Sequence, residues 1–151
     1  MKSLLLLLAA TCAGAQTADP FKALQFLTGE WVDEGAGTPG ESAGACSFTS
    51  DLQGKVIVRK SYAESSQGRH DDLMVIYVDE ASKKLKAIYF DNEGHVIHYS
   101  VEAGSDSAVL RNEQYRLTYR KNGTDKLALD FDIAGQGRPF ANYLHATLRK
   151  K

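Results

Sequence analysis

The sequence predicts an all-β protein: an antiparallel up-and-down β-barrel of about ten strands with one short N-terminal helix. Three observations predict it. Past Gly29 the chain divides into segments of about five to ten residues, separated by clusters of Gly, Asn, Asp and Ser. Within these segments apolar and polar side chains alternate with a period of two, and no helical period is sustained. A row of strands this long leaves two exposed sheet edges unless it closes on itself, and closure removes both.

The first residues stand apart from that pattern. Met1-Lys2-Ser3 precedes an apolar run from Leu4 to Ala10 and the small triplet Ala13-Gly14-Ala15, the layout of a secretory signal, with cleavage expected after Ala15. The run is shorter than the roughly 18 to 20 residues of a membrane span, and no later stretch reaches that length. Ala9-Ala10-Thr11 ahead of Cys12 lacks the leucine-led triplet of a lipidation site. The expected organisation is a signal peptide over 1–15 and one barrel domain over 16–151, in a protein that is exported, periplasmic or secreted.

Asp19-Pro20 then offers a cap and a proline suited to a helix start, Phe21, Leu24 and Leu27 repeat at helical spacing, and Gly29 ends the helix. The strands that follow are expected over 29–35, 43–51, 55–64, 72–79, 84–91, 95–103, 107–111, 115–121, 125–133 and 143–150. Two hairpins fix which side chains face inward. With Asn92-Glu93-Gly94 as a loop, Asp91 opposes His95, and Tyr89, Ala87 and Leu85 pair with Ile97, Tyr99 and Val101 on an apolar inner face. Phe90, Ile88, Lys86 and Lys84 pair with Val96, His98, Ser100 and Glu102 on the outer one. With Asn122-Gly123-Thr124 as the later loop, Tyr119, Leu117 and Tyr115 pair with Leu127, Leu129 and Phe131, and Arg116 faces Asp130.

Eighteen basic and nineteen acidic residues, scattered along the chain, provide no electrostatic stripe for nucleic acid or an anionic membrane. Removal of Cys12 with the signal leaves Cys46 without an intrachain partner, as a small buried hydrophobe or a reactive thiol. His95 and His98 are three apart in a strand and point to opposite faces, so they cannot share an ion, and no zinc spacing is present. His70-Asp71-Asp72 reads as a solvated turn at the start of a strand. Neither a nucleophile motif nor a phosphate-cradling glycine pattern occurs, so no catalytic or metal-ligating set is assigned. Asp91 opposite His95 is either a hairpin-end hydrogen bond or an acid orienting an imidazole for proton transfer. Trp31, Tyr62, Tyr89, Tyr99, Tyr115, Tyr119 and Tyr143 form an aromatic set dominated by tyrosine, which suits a lumen that is partly polar or holds a ligand.

The helix end and Gly29-Glu30-Trp31 resemble the opening motif of the calycins, the lipocalin and fatty-acid-binding barrels. The stretch from Gly29 to Pro39 and the closing Leu144-His145-Ala146-Thr147-Leu148-Arg149-Lys150 look like the two ends of the nitrobindin-like haem barrels. Leu73 to Lys84 followed by Ile88-Tyr89-Phe90-Asp91 is similar to uncharacterised bacterial calycin-like proteins. The resemblance implies a barrel with a ligand cavity, Trp31 at its closed end and Arg149 lying across that ring. The nitrobindin-like proteins ligate haem iron with a histidine just before the closing motif. Tyr143 stands there in this chain, and His145, about 6 to 7 Å further along the strand, shares its face.

The expected function is the binding of a small hydrophobic or amphipathic molecule, with Trp31, Tyr89, Asp91, His95, Tyr99, Tyr143, His145 and Arg149 as ligand-contacting residues. Haem is a possible cofactor, with Tyr143 or His145 on the iron. The alternatives are an enzyme using Asp91 and His95, or an envelope or interaction protein whose barrel is filled by its own side chains.

Overall fold

A computed structural model of the chain describes residues 19–39, 43–65, 68–135 and 137–151. The expected signal peptide lies outside the described residues. Ten strands follow one another: β1 Gly29–Asp33, β2 Gly44–Asp51, β3 Val56–Ser65, β4 Gly68–Val78, β5 Leu85–Asp91, β6 Val96–Ala103, β7 Ser107–Arg111, β8 Tyr115–Asn122, β9 Lys126–Ala134 and β10 Phe140–Lys150. Each pairs antiparallel with its neighbours in sequence, and β10 returns to β1, so the sheet closes into a barrel. The expected fold class is correct, and each expected strand is present with its ends moved by a few residues. Among the described residues no helix is long and apolar enough to cross a membrane.

The short helix ahead of β1 is a 3-10 helix, Lys22–Leu27. Its sequence accounts for that form. Phe21, Leu24 and Leu27 repeat every third residue, the spacing at which side chains of a 3-10 helix line up on one face, and all three are buried. The Asp19 carboxylate accepts the Phe21 amide at 2.9 Å and fixes the helix start. Trp31 in β1 donates its indole N–H to the Leu27 carbonyl at 2.7 Å, which ties the helix across the end of the barrel where β1 begins.

The β5–β6 register is the expected one, with Tyr89 opposite Ile97 and Ala87 opposite Tyr99. The β8–β9 register needs correction. Tyr119 pairs with Leu129, Leu117 with Phe131, Tyr115 with Ile133 and Arg116 with Asp132, two residues on from the expected alignment. The loop is Gly123-Thr124-Asp125, with Gly123 in the left-handed region at φ 76°. A slip of two preserves which face each side chain occupies, so apolar alternation cannot detect it. Turn chemistry and charge pairing choose instead: Arg116 meets Asp132 at 2.9 Å, and Arg120 reaches Asp130.

The inner faces converge on one core. Leu24, Leu27, Phe48, Met74, Ile76, Leu110, Leu127 and Leu148 are fully buried, each worth on the order of 1.5–3 kcal/mol when removed from water. They concentrate toward the helix-plugged end. At the other end the inward side chains Tyr89, Ile97, Tyr115, Phe131 and Leu144 pack on the core but stay partly exposed, and this aromatic end of the barrel is called the cup below.

Candidate ligand site at the open end of the barrel

Period-two alternation places the site residues. In β3, Ile57 faces the core, so Arg59 and Ser61 point inward as well; in β4, Met74 and Ile76 do the same for Asp72 and His70. These residues lie at the floor and rim of the cup. The Arg59 guanidinium forms a buried ion pair with Asp72 through Nη1, and its Nη2 donates to the Ser61 hydroxyl at 3.0 Å. Its Nε has no hydrogen-bond partner, and neither does the hydroxyl of Tyr119, which is fully buried. Two unsatisfied polar groups in one barrel interior are costly, because each was fully solvated in the unfolded chain.

Burial dominates the electrostatics here. It pushes the Asp72 carboxyl up despite the adjacent Arg59. It also pushes the phenols of Tyr89, Tyr99 and Tyr119 well above their ordinary value, so all three are neutral hydrogen-bonding groups. The Cys46 thiol is raised to about 11, chiefly by burial, and behaves as an apolar side chain rather than a nucleophile. At the rim, the Tyr89 hydroxyl and His70 Nε2 are 2.8 Å apart, and His70 Nδ1 is 3.1 Å from the Glu93 carboxylate.

Of the expected ligand-contacting residues, Tyr89, Asp91 and Tyr99 come together at the cup. Tyr99 is buried on the inner wall opposite Ala87, close enough to Tyr115 to interact with it electrostatically. Asp91 does contact His95, at 2.9 Å from Nδ1, but the same carboxylate accepts the backbone amides of Glu93 and His95. Burial alone would raise that carboxyl; the hydrogen bonds from His95 and Glu93 outweigh it and hold it below the usual range. The Asp91 side chain is buried while His95 is 60 % exposed, so the geometry is that of a closed hairpin end.

Three placements on or beside β10 differ from expectation. Tyr143, His145 and Arg149 were expected in the lumen, yet Tyr143 is 64 % exposed and the His145 and Arg149 side chains are 57 % and 53 % exposed. For His145 and Arg149 the physical reason is the same alternation: Leu144, Ala146 and Leu148 occupy the inner face, so the odd-numbered residues after the bulge point out. Tyr143 is the extra residue of a β-bulge between Asn142 and Leu144, which breaks the alternation and sets its ring edge-on to Phe131 at 5.9 Å on the exposed rim, whereas His145 pairs outside the barrel with Asp130 at 2.7 Å. The basic residue over the Trp31 ring is Lys150, at 5.7 Å, not Arg149, which lies near Glu34. Trp31 itself is buried and belongs to the plugged end.

Arg59, Ser61, His70, Asp72 and Tyr119 were not picked out as site residues from sequence. Their signal was present in the parity of Ile57, Met74 and Ile76. Two open surface grooves, of about 310 and 440 Å³, lie over β1 to β5 and are lined mainly by outward side chains such as Lys60, Tyr62, Asp71 and Phe90. Neither contains Arg59 or Tyr119, the groups with unmet hydrogen bonds.

The protein is thus a closed, all-antiparallel β-barrel with a plugged end and, toward the other end, partly exposed aromatic side chains above the buried Arg59, Asp72 and Tyr119. No protein-family model and no curated protein matches the chain. Among solved structures the fold is similar to that of Rv2717c from M. tuberculosis, with a TM-score of 0.62 and 17 % sequence identity, covering 89 % of this chain and 98 % of that one. At that identity the likeness describes the barrel alone.

Proposed function

We propose that this is an exported, calycin-like barrel that binds one small amphipathic molecule at its open end. The apolar body of the ligand lies against Ile97, Tyr99, Tyr115 and Phe131, and an oxygen acceptor reaches Arg59 Nε and the Tyr119 hydroxyl. The observation that carries this reading is the pair of buried, unpartnered polar groups beneath a partly exposed aromatic wall. Export rests on the signal-like layout of residues 1–15. Haem is not part of the proposal, because His145 is held on the outer face by Asp130, and Tyr143, though its ring meets Phe131 edge-on, is 64 % exposed at the rim.

Native mass spectrometry of protein purified from its own cells should reveal a bound small molecule. Dodecanoate should displace anilinonaphthalene sulfonate from the apoprotein. Tyr119→Phe should weaken dodecanoate roughly two- to tenfold, the net worth of one hydrogen bond. The same substitution should leave the empty barrel at least as stable, since the hydroxyl it removes has no partner there. No adduct and no displacement would leave a barrel filled by its own side chains.

A further inference from the structure

Arg59 and Tyr119 approach each other from opposite walls of the barrel. Around the closed sheet, β3 and β8 are separated by four strands on either side. Even so, the guanidinium and the phenol are close enough to interact electrostatically. They do not hydrogen-bond to each other, and among the described residues neither Arg59 Nε nor the Tyr119 hydroxyl has another partner, although both side chains are buried. Arg59 Nε can only donate and a phenol can also donate, so one oxygen lying between the two walls can accept from both.

Charge decides what that oxygen belongs to. The single positive charge of Arg59 is already matched by the Asp72 carboxylate in contact with Nη1, and both side chains are less than a tenth exposed. Across β4 and β5, Asp91 stands opposite Asp72 with its side chain buried as well, so the same wall holds a second acid. Cys46, Tyr89 and Tyr119 are also felt by Arg59, but burial keeps all three neutral and they balance nothing. A ligand carboxylate would add an uncompensated negative charge to this buried group, where charge is costly. A ketone, ester or amide oxygen takes the same two hydrogen bonds and adds none. We propose that the ligand presents an uncharged carbonyl oxygen to Arg59 and Tyr119, and that Asp72 is the specificity-determining residue that discriminates against carboxylates. This rests on the binding function proposed above and names the chemistry of the ligand's polar end.

The test compares decanoate with 2-undecanone, in which a methyl group replaces one carboxylate oxygen, as competitors of anilinonaphthalene sulfonate at about pH 7.5, where decanoate is ionised. The ketone should bind roughly tenfold or more tightly than decanoate, because like charges repel strongly at low dielectric. Any apolar site favours a ketone to some degree, so the variants isolate the charge. Asp72→Asn leaves Arg59 unbalanced and should move the ratio of affinities roughly tenfold or more toward decanoate. Asp71→Asn, on the same strand but exposed and paired with Arg69, should leave the ratio unchanged. In Tyr119→Phe the ketone should weaken roughly two- to tenfold, the worth of one hydrogen bond, while 1-undecene, which lacks the carbonyl, binds as before. That last comparison and the parent ratio decide the matter if Asp72→Asn does not fold. Decanoate binding as tightly as the ketone, an unchanged ratio in Asp72→Asn, or equal weakening of ketone and alkene in Tyr119→Phe overturns the proposal and leaves a binding barrel standing. Binding of none of these ligands removes the binding function and this proposal with it.

Discussion

The Arg59–Asp72 pair dominates the interior at the residue scale, with both side chains less than a tenth exposed. Burying two charges is expensive, and their mutual attraction with the Ser61 hydrogen bond offsets that cost only while both remain. Arg59→Met should therefore cost about 3–5 kcal/mol by leaving Asp72 buried without its cation. The double variant Arg59→Met, Asp72→Leu should recover most of that loss in urea denaturation while failing to bind dodecanoate. A double variant as unstable as the single one would mean that the pair holds the strands together. These residues were within reach of the sequence: the alternation that puts Ile57, Met74 and Ile76 in the core puts Arg59 and Asp72 there too. What hid them was their charge, since a charged residue in a half-exposed strand is ordinarily assigned to the solvent side.

Turns set the register that alternation cannot, and this is where legibility changed at the level of elements. The β5–β6 hairpin could be read because a slip of one would have mixed its faces, whereas the β8–β9 alignment was misplaced by two with every face still correct. The β4–β5 turn shows how a side chain fixes a turn. Asp79 accepts the Ser82 hydroxyl and amide, while the Asp79 amide donates to the Lys84 carbonyl at 2.9 Å. The Ser82 hydroxyl and then its amide lower the carboxyl from 3.8 to about 2. A depressed folded-state pKa means that the contribution is fully present above the unfolded value of 3.8 and is lost as pH falls toward about 2. Stability profiles of the parent protein and Asp79→Asn should thus differ at neutral pH and converge between those values. A constant gap across that range would show that the carboxylate charge is not what the turn uses.

Closure is a property of the whole molecule, and its seam is narrow. β10 pairs with β9 over nine residue pairs, but with β1 over three: Trp31 with Lys150, Val32 with Arg149 and Asp33 with Leu148. The number of strands and the need to close were legible, because ten consecutive segments leave two edges to satisfy. His145 and Arg149 on β10 face outward against expectation, because polar residues in the closing motif looked like site residues. In the barrel Leu144, Ala146 and Leu148 take the inside, and Leu148 is fully buried beside Leu127 at the seam. Leu148→Ala should then act in two ways. It should cost about 2–5 kcal/mol as a cavity in the core, a large share of the 5–15 kcal/mol that stabilises a typical domain. It should also open the barrel locally, since β1 has few other bonds to hold it against β10. Native-state hydrogen exchange can separate the two effects. Amides of β1 and the end of β10 should exchange disproportionately faster in the variant, while those of β5 and β6 slow or quicken only with global stability. Uniform acceleration in every strand would mean that the barrel opens only by unfolding entirely, and that the short seam is no weaker than the rest.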